Sequence, residues 1–220
     1  MEPAALLHGL LLFVGFVAFV ALHEFAHAWT ACRLGDDTPR SQGRLTLDPL
    51  AHMDVIGTII LPLAVTVLGA MGGQSMLLGW GKPVQVNLNN FRHRRRDDIL
   101  VSGAGPAMNL LIVFVLLAIM KVVQLAGGHS QHLDSLLNLA RLSLFLCFFN
   151  LLPIPPLDGG HILRNLVGIS DEAYQLMSRY SFLFLLMVMR SPAVGEFISV
   201  ATDSALAVLA LPFGWHLSSS

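Results

Sequence analysis

Charge is scarce in this chain: 12% of its 220 residues are Asp, Glu, Lys or Arg, and the formal net charge is −1. With a pI near 6.7 and its few cations clustered, the sequence offers no broad basic surface, so nucleic-acid binding is set aside. Cysteine is scarcer still. Cys32 and Cys147 lie at the ends of apolar runs, where small buried thiols are the plain reading, and they report no redox compartment. No Lys or Arg precedes the first apolar stretch, Ala4 to Leu22, and no small-residue cleavage site closes it; it reads as a retained membrane helix, not a signal peptide. Internal repeats and low-complexity linkers are also absent.

Apolar residues fill the space: 55% of the chain is hydrophobic and the mean hydropathy is +0.68, which makes a bilayer the expected solvent. Measured against the ~20 apolar residues that a spanning helix needs, candidate spans are Ala4–Cys32, Ile99–Leu125 and Leu136–Leu152, with two weaker ones near Tyr174–Met189 and Ala193–Leu211. The stretch from Val55 to Trp80 is apolar but interrupted by Pro62, Gly69, Gly72, Gly73 and Gly79, and is too short to cross twice. Arg33, Arg40 and Arg44 follow the first helix, and Lys82, Arg92, Arg94, Arg95 and Arg96 follow the broken stretch. If both groups are cytoplasmic, the segment between them enters and leaves on one side, which favours a re-entrant element. The expected fold is an all-α polytopic membrane protein of about five transmembrane helices plus this element. The alternating residues Arg44–Asp48 are a candidate for a short β element. Residues 1–220 form a single membrane-embedded domain in this reading, with a core over about 4–168 and C-terminal helices over about 174–212.

Chemistry concentrates at His23-Glu24-Phe25-Ala26-His27, an HExxH pattern in a run free of Pro and Gly from Phe16 to Leu34. On a helix the two histidines lie roughly 40° apart and one turn along, so both imidazoles reach one zinc ion. Glu24 sits beside that face, placed as general base toward zinc-activated water, which is peptide-bond hydrolysis without a covalent intermediate. Three fixed residues recur by chance in ~3% of chains this long, but a carboxylate inside a membrane helix costs at least ~2.5–3.5 kcal/mol on insertion scales and is a functional candidate by default. A catalytic zinc needs a third protein ligand. Asp158 is a candidate, within Asn150-Leu151-Leu152-Pro153-Ile154-Pro155-Pro156-Leu157-Asp158-Gly159-Gly160, where prolines end a helix and glycines permit close approach. On its own the same residue reads more readily as the cap of a helix beginning near Gly159.

The HExxH pattern in a first apolar helix, paired with this Asn-to-Gly motif more than a hundred residues later, resembles the site-2 protease family of intramembrane zinc metalloproteases. Ser102-Gly103-Ala104-Gly105-Pro106-Ala107-Met108-Asn109 is similar to that family's Gly-Pro helix start, and Gly79-Trp80-Gly81-Lys82-Pro83-Val84 to a stretch of its compact bacterial members. The likeness covers most of residues 16–168 and little after that. It implies a compact form without PDZ or CBS domains, one zinc per chain held by His23, His27 and Asp158, and Glu24 as the catalytic carboxylate. It implies cleavage of membrane-embedded or membrane-adjacent protein substrates near the cytoplasmic face of a bacterial cytoplasmic membrane. Substrate choice would then rest on the membrane part or on a separate regulatory protein. Asn150 and Asn109 fall on polar positions of the family's motifs; either amide is a candidate to orient substrate or stabilise an oxyanion, while a helix-to-helix hydrogen bond serves Asn109 equally well. His161, where many relatives have Arg, and His52 are stray histidines whose plain reading is an interfacial hydrogen bond. The competing function is a membrane metal-ion transporter or metal-binding protein using the same His/Asp site, which gives Glu24 no necessary role.

Overall fold

The computed structural model describes residues 3–64 and 79–215. Among them the chain is mainly helical and forms no sheet. Helix α1 (Pro3–Arg33) leads through two single-turn helices, α2 (Thr38–Ser41) and α3 (Pro49–His52), to a π-helical turn at Val55–Ile60. After an extended segment and a 3₁₀ turn at Leu88–Asn90 come α4 (Arg94–Leu125), α5 (Ser130–Asn150), α6 (Asp158–Val167), α7 (Asp171–Met189) and α8 (Pro192–Ala210). Four of these, α1, α4, α5 and α8, are long and apolar enough to cross a membrane. The protein is an integral membrane protein. The weaker span expected near Tyr174–Met189 is a helix, α7, but not one of the four, because Asp171, Glu172 and Arg179 interrupt its apolar character.

α1 and α4 pack antiparallel, and their sequences show why. On α1 the stripe Phe16, Val20, His23, His27 recurs at helical spacing and changes from apolar to polar along the chain; all four are buried. On α4 the stripe Asp98, Ser102, Gly105, Asn109, Ile112, Leu116 and Met120 runs the other way, polar first. Packing the two stripes together joins polar end to polar end, and joins apolar end to the main core, where Phe16, Val113, Leu117, Leu144 and Leu206 of α1, α4, α5 and α8 meet. Lipid is as apolar as these side chains, so close fit rather than water exclusion holds them. A Cβ at Gly15 would stand 2.4 Å from Leu139 Cδ2, which is how near α1 and α5 come. The outward face of α4 exposes Leu111, Phe114 and Val122, a band suited to acyl chains.

α4 starts at Arg94, five residues before the expected span, because the carboxylate of Asp97 reaches back to accept from the His93 N–H at 2.8 Å and caps the end. The Gly-Pro pair expected to open a helix therefore lies inside one. Pro106 forfeits a single backbone hydrogen bond there, and the helix continues through it. Arg44–Asp48 forms no strand. Local bonds win instead: Thr46 Oγ1 accepts from the Asp48 N–H, Asp48 caps α3 through the Leu50 N–H at 3.0 Å, and the buried Arg44 guanidinium donates to the Ala51 carbonyl. Among the described residues the β pairing is one antiparallel bridge between Met53 and Gly81. Of the expected re-entrant element, residues 65–78 lie outside the described residues. Its two ends meet: the Trp80 N–H donates to the Gly57 carbonyl at 3.1 Å, and Thr58 Oγ1 donates to the Trp80 carbonyl at 2.8 Å.

Candidate metal centre

Where the polar ends of α1 and α4 meet, α6 adds a third element. His23 Nε2 and His27 Nε2 lie 3.0 Å apart, and Asp158 faces both, its Oδ2 3.1 Å from His23 Nε2 and its Oδ1 3.3 Å from His27 Nε2. Among the described residues this is the one group of three His, Cys, Asp or Glu side chains whose ligand atoms converge, all within 4.8 Å of one another. Asp158 is the first residue of α6, one past its N-cap Leu157, and its Oδ2 accepts no hydrogen bond; the carboxylate faces the two histidines instead of capping the helix. Gly159 and Gly160 bring it there. The loop from Leu151 to Pro155 folds back over the start of α6, and a Cβ at Gly159 would stand 2.2 Å from the Leu151 carbonyl oxygen.

The tautomers are set from behind. His27 Nδ1 donates to the Val101 carbonyl at 2.7 Å, so Nε2 keeps its lone pair for a ligand. His23 Nδ1 faces the amide of Asn109, 3.2 Å from its nitrogen, while Asn109 Oδ1, in a fully buried side chain, has no partner. Turning the amide over gives Oδ1 the Nδ1–H of His23, satisfies both groups, and again leaves Nε2 free. Ser143 Oγ donates to the Asn109 carbonyl at 2.9 Å and ties this point to α5. A Cβ on Gly105 would lie 2.4 Å from His27 Nε2 and 2.5 Å from His23 Nε2, so only glycine lets α4 come this close.

These groups suit a divalent cation. Two neutral imidazoles and a buried carboxylate, whose Oδ2 has no hydrogen-bond donor, aim at one point, and the nitrogen–oxygen donor set is one that zinc takes. Glu24, half-buried, stands beside the group and outside it, with Oε2 accepting from the Val84 N–H at 3.0 Å. All four residues line a cavity of about 430 Å³.

A family model described as Peptidase family M50 matches residues 121–189. YwhC of Bacillus subtilis is 36% identical over 195 residues, which cover 85% of this chain and 83% of the relative. Rip2 of Mycolicibacterium smegmatis is 30% identical over 188 residues, 85% of this chain and 69% of that protein, and Rip2 of Mycobacterium tuberculosis strain H37Rv is 34% identical over 188 residues, 84% and 69%. All three are named as zinc metalloproteases. The chain belongs to peptidase family M50. No solved structure matches it. As an M50 peptidase it is a metalloendopeptidase of the site-2-protease type, and zinc is its metal.

The remaining sequence candidates fall around this centre. Asn150, at the end of α5, lines the cavity but turns its Nδ2 onto the Leu146 carbonyl of its own helix at 2.9 Å. Asn109 also lines the cavity, and its fully buried side chain lies against His23 Nδ1. His161 lies outside the ligand group, its Nδ1 3.8 Å from Asp98 Oδ1, in a network where Arg164 and Asn165 each donate to Asp98 Oδ2 at 2.6 Å. His52 is buried elsewhere with Nε2 on the Thr46 carbonyl at 2.9 Å. Sequence reasoning missed Gly105, Val101 and Val84. The spacing of Asp98, Ser102, Gly105 and Asn109 along one helix face was a readable signal for the first two; the Gly79–Val84 motif marked the stretch, but not the Val84 N–H.

Proposed function

We propose that this M50 peptidase hydrolyses peptide bonds of membrane-embedded or membrane-adjacent proteins, with zinc held by His23, His27 and Asp158 and with Glu24 as general base. The observation that carries the assignment is the convergence of both Nε2 atoms and the Asp158 carboxylate on one point, beside a second carboxylate, Glu24, that stands outside the ligand group. The chemistry supplied by zinc when bound is Lewis acidity, which acidifies water and polarises a carbonyl. Glu24 takes a proton as the water oxygen bonds to the carbonyl carbon, and returns it to the amine nitrogen as the carbon–nitrogen bond breaks. The Val84 N–H fixes that carboxylate in line with the cavity. Charge supports Asp158 over His161 as third ligand: with two neutral histidines, zinc, Asp158 and ionised Glu24 sum to zero, whereas His161 in place of Asp158 leaves +1, a cost of several kcal/mol in low dielectric.

The extended segment from Gly81 to Val86 is the wall on which substrate would lie. Among the described residues its carbonyls accept no hydrogen bond, and neither Gln85 nor Val86 donates its N–H. An unwound substrate peptide can add to such an edge as a strand, and Asn150 Oδ1 stands on the same cavity to accept from it. A site on the cytoplasmic side of the membrane follows from the arginines flanking α1 and α4.

The competing reading, metal transport through the same residues, is separated by reconstituting the protein in vesicles. A protease cleaves a membrane-helix peptide and moves no zinc across the bilayer; zinc flux without cleavage would reverse the assignment. Single cysteines at 92–96 and 127–132, in a background lacking Cys32 and Cys147, test the sidedness with an impermeant label: the first set is expected to react from inside only and the second from outside only.

A further inference from the structure

The segment whose Val84 N–H holds Glu24 is pinned through its backbone at both ends, and between them its carbonyls stay unpaired among the described residues. At the near end, Trp80 and Lys82 donate their N–H groups to the Gly57 and His52 carbonyls, the latter at 2.8 Å. At the far end an exposed side-chain bond joins Gln42 Nε2 to Gln85 Oε1 at 2.9 Å, and the backbone itself is held by a buried side chain, Asp36, which follows α1 on the same chain stretch as His23 and His27 and is 0% exposed. Every group that approaches it is a donor. Oδ1 accepts from the Thr38 N–H at 3.1 Å, the Thr38 hydroxyl at 2.5 Å and Asn90 Nδ2 at 2.7 Å; Oδ2 accepts from the Asn87 N–H at 2.8 Å. Burial works against the charge, yet these bonds hold the Asp36 carboxyl below the usual carboxylate range. Behind the segment, Val86 and Leu88 pack with Phe91 on Ala31 and Val101, the residue whose carbonyl orients His27.

We propose that Asp36 is a positioning residue of the peptidase, fastening the Gly81–Val86 wall so that its Val84 N–H meets Glu24 and its unpaired edge meets an extended peptide. This rests on the protease reading above. The chemistry of the cluster makes the tie selective. An amide at position 36 has one acceptor atom in place of two. Keeping the oxygen for the three Oδ1 donors turns its NH₂ against the Asn87 N–H, donor against donor, with little change of shape.

The test uses the full-length protein in detergent. Hydrogen exchange is measured by peptide over 80–90 and over α1 and α4, zinc content is measured by metal analysis, and KM and kcat are measured with a membrane-helix peptide carrying a fluorophore–quencher pair. In Asp36→Asn, exchange over 83–87 is expected to rise about tenfold and KM about fivefold, the loss of one hydrogen bond to a charged acceptor. Zinc and the exchange of α1 and α4 should stay at wild-type values. Asn90→Ala leaves the Asn87 tie in place and should change neither quantity by more than about twofold. Unchanged exchange over 83–87 in Asp36→Asn would overturn the proposal, as would a uniform rise across α1 and α4 with loss of zinc, since Asp36 would then serve only the fold. A wild-type protein that cleaves no peptide refutes the protease reading instead, and the exchange pattern still decides whether Asp36 is the clamp.

Discussion

One side of the cavity carries its function on helix side chains, and the other carries it on extended backbone. On the metal side, His23, His27 and Asp158 project from α1 and α6, and each histidine is braced by a second group, Asn109 or the Val101 carbonyl, on α4. On the opposite wall, from Gly81 to Val86, the working groups are N–H and carbonyl positions, while Val86 packs and Gln85 bonds the side chain of Gln42. The difference follows the demands of each task. A metal needs donors fixed within tenths of an ångström, which rigid helices give. A peptide of varied sequence needs a surface that reads main chain, which only an unpaired extended segment gives.

The metal side should break abruptly. Asp158→Asn is expected to lose most of its zinc and all measurable cleavage, while His161→Ala, one helical turn away, keeps the metal and much of the activity. Metal analysis with a cleavage assay on both proteins checks this, and zinc loss in His161→Ala with retention in Asp158→Asn would exchange their roles. Bracing should matter less than ligation. Asn109→Leu is expected to weaken zinc binding by about 10–100-fold, as loss of a ligand's outer partner does, with cleavage returning when zinc is added in excess. Competition against a zinc chelator gives the affinity; wild-type zinc binding in this variant would reduce Asn109 to a helix–helix contact with α5.

That metal side was also the side legible in the sequence. HExxH on an uninterrupted helix fixes two imidazoles on one face by periodicity alone, and the prolines and glycines around Asp158 announce a helix end that can approach closely. Of the five expected spans, four are long apolar helices among the described residues, and the weaker one at α7 carries acidic and basic residues. The wall was not legible, because backbone groups carry it. Nothing in the letters of Pro83, Val84 and Gln85 says which N–H will find Glu24. The same holds for Arg44–Asp48, whose alternation imitates a strand while Thr46 and Asp48 bond locally and divert the chain. Asn109 was visible as a polar residue in an apolar run, but its role depended on α4 lying antiparallel to α1, which composition does not give.

Glu24 is where the two sides meet, and it offers the most direct measurement of the whole account: zinc content and cleavage rate of Glu24→Gln, determined on one purified sample beside the wild type. The substitution keeps the shape and the contact with Val84 while removing the base. Zinc should remain at about one per chain, and cleavage should fall to about one-hundredth of the wild-type rate or less. A Glu24→Gln protein that cleaves at the wild-type rate, or that loses its zinc, would contradict the assignment of His23, His27 and Asp158 as the ligands and Glu24 as the base.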